Sequence, residues 1–323
     1  MTRARLEIHL TSDEAAGSLR ADARLGLGSS PKWLPPKWFY DTRGSQLFED
    51  ITRLPEYYPT AAEREILQAH AADIAQRTGA HTLVELGSGS SEKTRLLLDA
   101  LREHGSLGTF VPLDVSESAL ASAVAAIGSD YPGLAIHGVV GDFTEHLGHV
   151  GGDSPRLVAF LGGTIGNLWP DERAKFFAAV HDLLDVGEWL LLGTDLVKDE
   201  ATLVAAYDDA AGVTAEFNRN VLRVLNRELG ADFDVDAFSH RAVWNAAEEW
   251  IEMLLVAQTA MRVRVPGVDL EIAFAAGEQM RTEVSAKFRR DRVEAEFADA
   301  GFVLDAWWTD QQGRFALSLA RAR

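Results

Sequence analysis

No cysteine occurs in the 323 residues. That absence excludes disulfides, Cys-ligated zinc and a thiol nucleophile. Basic charge is also scarce: 31 lysines and arginines stand against 49 acids, a formal net charge of −18. So acidic a chain offers no patch to neutralise nucleic-acid phosphates or an anionic membrane. Long apolar runs are missing, and none approaches the roughly 20 residues that span a bilayer. The opening "MTRARLEIHLTSDEAAG" lacks the apolar core of a signal peptide. The nine histidines show no ligand spacing such as H-x-x-x-H, so no metal is expected. The expectation is a cytoplasmic monomer that meets neither nucleic acid nor membrane.

What is present is alternation. Short apolar strands at His81–Leu86, Thr109–Asp114, Ala135–Val140, Arg156–Leu161 and Trp189–Gly193 are separated by helical patterns at Ser91–His104, Ser116–Tyr131 and Pro170–Leu184. Continuous apolar strands joined by helices predict a parallel sheet covered on both faces, an α/β Rossmann-like fold. Ligands in such a sheet bind beyond the carboxyl ends of the strands. Near Leu196 the rhythm breaks. Ala201–Leu229 reads as one long helical stretch, and Trp250–Val265 and Val268–Phe274 as antiparallel strands about Pro266-Gly267. A helix over Asp291–Ala300 leads to "FVLDAWWTD" and "RFALSLARAR", a pair of strands that returns to the sheet. Residues 1–30 are weakly patterned, and Ser29–Ile51 is rich in proline and aromatics, an ordered arm. The expected division is 61–196 plus 286–323 for the sheet, and 1–60 plus 197–285 for an inserted α+β substrate-binding domain.

The first strand runs into "VELGSGSSEKT", Val84–Thr94. A Walker loop would need glycine where Glu92 stands, and a side-chain carboxylate does not suit a loop that wraps phosphates. The dinucleotide fingerprint fails at the same residue. An acidic strand end followed by Gly-x-Gly resembles the first motif of the class I S-adenosylmethionine-dependent methyltransferases, whose ligand carries no phosphate. Glu85 could organise its cationic end, and Gly87 and Gly89 permit close approach. Lys93 is either a contact to the donor's carboxylate or a solvated helix cation. Asp114 ends the second strand, where an acid can accept ribose hydroxyls, or cap the following helix. Asp142 and Phe143 end the third, where that family contacts adenine.

The acceptor is read from segments outside the sheet. "PPKWFYD", "LPEYYPT", "LGGTIGNL", "LGTDLVKD", "AYDDAAGVTAEFNRN" and "EVSAKF" together resemble the histidine Nα-methyltransferases of ergothioneine biosynthesis, over nearly the whole chain. The resemblance implies three methyl transfers from S-adenosylmethionine to the α-amine of L-histidine, through the mono- and dimethyl intermediates, giving hercynine. It implies donor contacts at Gly87, Lys93, Asp114, Asp142 and Phe143. It implies histidine contacts at Tyr57, Asn167, Tyr207, Glu283 and Ser285, with Tyr40 near the amine. Asn167 and Tyr40 are then the candidate catalytic residues, and Met253 could pack against the substrate ring. Imidazole offers one donor and one acceptor, which suits Glu283 and Ser285 on one face of an extended segment. Relatives usually read "LGSTIGN", "EMWL" and "EVSCKF"; Gly163, Leu254 and Ala286 depart from them. Gly163 could loosen the strand end, and Leu254 could change packing under Met253. A different aromatic amino acid as acceptor would leave Glu283 facing an apolar ring, unpaired. A non-catalytic donor-binding module would be favoured by loss of the loop or Asp114, and neither is lost.

Overall fold

The computed structural model describes residues 4–89 and 91–323, so Ser90 of the glycine stretch lies outside the described residues. The chain forms two compact units. One holds the described residues up to Leu10 with Pro59–Val197 and Phe288–Arg323; the other holds Thr11–Tyr58 and Lys198–Lys287. Each has its own apolar core, around Leu83, Phe110, Leu157 and Leu317 in the first and Phe39, Val221, Phe238 and Leu255 in the second.

The first unit is built on an eight-stranded sheet. Its strands, numbered along the whole chain, are β1 (Ala4–Ile8), β3 (Thr82–Leu86), β4 (Thr109–Asp114), β5 (Ala135–Val140), β6 (Arg156–Phe160), β7 (Trp189–Asp195), β13 (Phe302–Thr309) and β14 (Phe315–Ala322). Their spatial order is β1-β5-β4-β3-β6-β7-β14-β13. The first six run parallel; β14 is antiparallel to β7, and β13 is antiparallel to β14. All five residues of β3 are buried, as suits a strand with both faces covered. From β3 the chain steps outward to β4 and β5, then returns to the other side of β3 for β6 and β7. That reversal is the switch point where open α/β sheets bind ligands. The helices are α3 (Tyr58–Thr78), α4 (Thr94–His104), α5 (Glu117–Asp130), α6 (Pro170–Leu183) and α9 (Arg290–Asp299). Ser116 accepts from Ala119 N to cap α5. The α/β expectation and the returning strand pair agree with this sheet.

The N-terminus departs from its expected place. The sequence places residues 1–60 together with the insertion, yet Ala4–Ile8 adds a parallel edge strand to β5. Leu6 lies opposite Gly138, and a Cβ on that glycine would sit 2.8 Å from Leu6 Cδ1, so the glycine makes the room that seats the strand.

The second unit holds α1 (Ser12–Gly28), α2 (Thr42–Ile51), α7 (Glu200–Tyr207) and α8 (Val213–Leu229). Its four-stranded sheet has the order β2 (Lys32–Trp33), β12 (Gln279–Ala286), β9 (Trp250–Ala257), β8 (Phe238–Asn245); β10 (Met261–Val265) and β11 (Leu270–Phe274) form a separate hairpin. Three expectations change here. The weakly patterned N-terminal stretch is the helix α1, started by a reciprocal Thr11–Glu14 capping box and burying Leu19, Ala23 and Leu27 at four-residue spacing. The single helix over 201–229 is two, because Gly212 turns left-handed (φ 76°) and Asp209 accepts from Val213 N at 3.0 Å and Thr214 N at 2.7 Å. The strand over 250–265 is also two, β9 and β10. No helix among the described residues is long and apolar enough to cross a membrane.

Candidate active site

Three strand ends in the first unit, those of β3, β4 and β5, carry the expected donor residues. After β3 the loop turns on Gly87 (φ 67°) and Gly89 (φ 49°), a conformation costly for residues with a Cβ. Among the described residues, chain neighbours aside, no atom lies within 4 Å of where a Cβ would sit on either glycine, so the space beside the loop is open. Gly87 N and Ser88 N both donate to Leu113 O, at 2.8 and 3.1 Å, and fasten the loop to the end of β4. Asp114 completes the fastening: Oδ2 accepts from Gly89 N and Oδ1 from Ser116 N, each at 2.9 Å. Burial pushes its carboxyl above the usual range. The cap of α5 itself is Ser116. The Ser88 hydroxyl is buried without a hydrogen-bond partner among the described residues.

Glu85 and Lys93 both have partners that the sequence did not mark. Glu85 points under the loop, where its carboxylate accepts from Ser91 Oγ at 3.1 Å and from Thr94 Oγ1. Burial pushes its pKa up to about 7. It supports the turn rather than reaching outward. Lys93 pairs with Glu63, a fully buried acid on α3 that also accepts from Gly162 N at 2.8 Å. Glu63 had no signal in the sequence; it reads as one more acid on an amphipathic helix. Glu92, the residue that excluded a phosphate loop, is exposed and 3.4 Å from Arg64.

Asp142, after β5, accepts from Thr144 N and Thr144 Oγ1 at 2.8 and 2.6 Å. The Phe143 ring packs edge-on against Phe160 and Phe176. After β6, Gly162 and Gly163 are left-handed and lead into the short turn Thr164–Asn167, so Asn167 also follows a strand end. Gly163 at φ 71° suits glycine, which reverses the expected loosening.

The second unit gathers the other set. Tyr40 meets Phe48 edge-on at 5.6 Å, Phe48 meets Tyr57 at 6.2 Å, and Tyr57 meets Tyr207 at 6.3 Å. This row of rings ends at the Tyr207 hydroxyl, 2.7 Å from Ser285 Oγ. Glu283 lies two residues before Ser285 on β12, with Met253 directly across on β9. Adjacent strand residues face opposite ways, so Leu254 does not lie under Met253 as expected. Sequence reasoning passed over three residues here. Lys287 is fully buried and donates to Tyr207 Oη and Ser285 Oγ; its place two residues after Ser285 was the available signal. Asn218 donates to His240 Nδ1 at 2.8 Å, which leaves Nε2–H to donate to Tyr207 O at 2.7 Å. Burial holds the His240 pKa below its usual value. No group of three His, Cys, Asp or Glu among the described residues could hold a metal.

Residues 19–322 match the family model described as histidine-specific methyltransferase, SAM-dependent. The chain belongs to this family. This histidine-specific methyltransferase family uses S-adenosylmethionine, for which the open loop and the Ser88 hydroxyl leave both space and an unanswered polar atom. The chain is 61% identical to the histidine N-alpha-methyltransferase of Mycolicibacterium smegmatis and 59% identical to that of Mycobacterium tuberculosis, over 97% of each chain in both cases. It is 29% identical to ergothioneine biosynthesis protein 1 of Neurospora crassa, over 86% of this chain and 32% of that longer one. Of the sequence expectations, the resemblance, the fold and the methyl donor are therefore sound.

Proposed function

We propose that this methyltransferase carries histidine through three methylations at the α-amine, giving hercynine for ergothioneine biosynthesis. The observation that carries the reading is the Glu283–Ser285 face beside Tyr207, in a chain so similar to enzymes named for histidine. Glu283 accepts the imidazole N–H and Ser285 binds the other nitrogen. Met253 packs on the ring, and Tyr57 and Tyr207 serve the amino acid's polar groups.

The donor set is the first unit's strand ends. When bound, S-adenosylmethionine supplies a methyl group made electrophilic by its sulfonium. Gly87 and Gly89 let it lie against the main chain, and Glu85 holds that turn from beneath. Asp114 accepts from backbone N–H groups at both oxygens and, with about four acceptor positions in all, keeps room for a ribose hydroxyl. Asp142 and Phe143 flank the adenine, and Lys93, held by Glu63, adds positive charge for the donor's carboxylate.

The amine nitrogen attacks the methyl carbon in line; the N–C bond forms as the C–S bond breaks. Alignment supplies most of the acceleration. Asn167 orients the amine through a neutral amide oxygen, and Tyr40 passes its proton to water. One proton leaves before each transfer, three in all, and the product nitrogen keeps a permanent charge. The rings of Tyr40, Phe48 and Tyr57 suit that growing cation. Purified protein incubated with S-adenosylmethionine and L-histidine should yield masses one, two and three methyl groups heavier. A halt at one methyl, or transfer to tryptophan or tyrosine but not histidine, would sink the reading.

A further inference from the structure

Lys287 donates from Nζ to Tyr207 Oη at 2.9 Å and to Ser285 Oγ at 2.8 Å, and lies 4.5 Å from the Tyr207 ring centre. The two hydroxyls are 2.7 Å apart. An ammonium has three donors and no acceptor, so each oxygen gives it a lone pair. A phenol is a stronger acid than an alcohol, and a neighbouring cation strengthens it further as a donor. Tyr207 therefore donates to Ser285. Both acceptor positions of Ser285 are then filled, one by Lys287 and one by Tyr207. Its own hydrogen is what it has left to offer.

We propose that Lys287 is a positioning residue that turns Ser285 into a donor toward the substrate ring, so that the site takes neutral imidazole and rejects imidazolium. This rests on the assignment of Glu283 and Ser285 to that ring. Neutral imidazole gives its N–H to Glu283 and accepts from Ser285 at the other nitrogen. Imidazolium has two N–H groups and no acceptor. One of them would meet the Ser285 hydrogen, with a buried ammonium behind it. Lys287 meets Tyr207 on α7 and Ser285 on β12, and its main-chain N donates to the Glu249 carbonyl at 2.7 Å; Glu283 lies two residues before Ser285 on β12. Past Tyr207 stand the Tyr57 ring and His240, whose Nε2 is 3.9 Å from Asp208. Glu283 and Asp208 favour a cationic ring, and Lys287 is set against them.

Calorimetric titration of the full chain with L-histidine between pH 5 and 7.5 tests this. Wild-type affinity should fall about tenfold per pH unit below the imidazole pKa of about 6.5. Lys287→Met should flatten or reverse that fall, because Ser285 is freed to accept and Glu283 then prefers the cation. His240 and the acids are common to both proteins and cancel in the comparison. If Lys287→Met does not fold, Lys287→Gln, which removes the charge but stays polar, should flatten the same slope. An equal fall in wild type and variant, or no fall in wild type, overturns the proposal. Wild type that binds no histidine at pH 7.5 would instead withdraw the substrate assignment, and this proposal with it.

Discussion

The two units hold their chemistry in opposite ways. In the first, main-chain groups do most of the work: Gly89 N and Ser116 N grip Asp114, and the loop hangs from Leu113 O. In the second, side chain meets side chain, as in Tyr207–Ser285–Lys287 and Asn218–His240. A site made from backbone needs glycine at fixed positions and keeps its parts close in sequence. A site made from side chains can draw them from anywhere in the chain. It needs a second layer to aim them, which is what His240 does for the Tyr207 carbonyl.

The largest expected contrast is in pH. Glu85 titrates near 7 in the fold against 4.5 when free, so its share of stability is whole below about 4.5 and is lost as the pH rises to about 7. That share is on the order of 3 kcal/mol. His240 runs the other way. Its folded pKa lies below 6.5, so the second unit is unaffected above that value and loses stability as the pH falls beneath it. Hydrogen exchange, corrected for its intrinsic pH dependence, should show the first unit loosening with rising pH and the second with falling pH. Glu85→Gln should remove the first trend and His240→Gln the second; parallel trends in both units would break the contrast.

Substitutions at the sites should separate the ligands. Glu283→Ala should raise the histidine KM about 10- to 150-fold, for a charge-assisted hydrogen bond of ~1.5–3 kcal/mol, and leave the donor Kd alone. An unchanged KM would take Glu283 out of the imidazole pocket. Gly89→Ala is the mirror image. Forcing a Cβ into the left-handed turn costs about 1–2 kcal/mol, so donor binding should weaken roughly 5- to 30-fold with the histidine KM unchanged. Smallest of all, Gly163→Ser puts a Cβ at φ 71° and 3.4 Å from the Phe315 ring. A loss of about 1 kcal/mol should lower the Tm by roughly 2 °C; a rise would show that the strand end is looser than its geometry implies.

The sheet was legible because a strand covered on both faces must be apolar throughout, as Leu83-Val84 and Leu190-Leu191-Leu192 are. The long stretch over 201–229 was misread because a break made by Asp209 and Gly212 is a local hydrogen-bonding event inside an unbroken apolar pattern. Strand β1 was missed because five residues of an edge strand carry little pattern, and the space that receives Leu6 is made by Gly138, far along the chain. Glu63 and Lys287 look like surface charges in sequence. Burial is a property of what packs around a residue, so only the fold shows that both are inside.

By itself, the sequence determined that the protein is an α/β enzyme with a phosphate-free nucleoside loop. Glu92 excludes the rival loops locally, and Gly87, Gly89 and Asp114 are required where the backbone turns. It also marked Glu283 and Ser285 as a pair, since residues two apart in a strand share a face. Only the tertiary structure decided that Lys93 answers to Glu63, that Glu85 supports the loop from below, and that Lys287 stands behind Tyr207 and Ser285. Lys93–Glu63 and Lys287–Tyr207 join segments 30 and 80 residues apart, which only folding brings within hydrogen-bonding distance; Glu85 is close to its partners in sequence, and burial turns it under the loop.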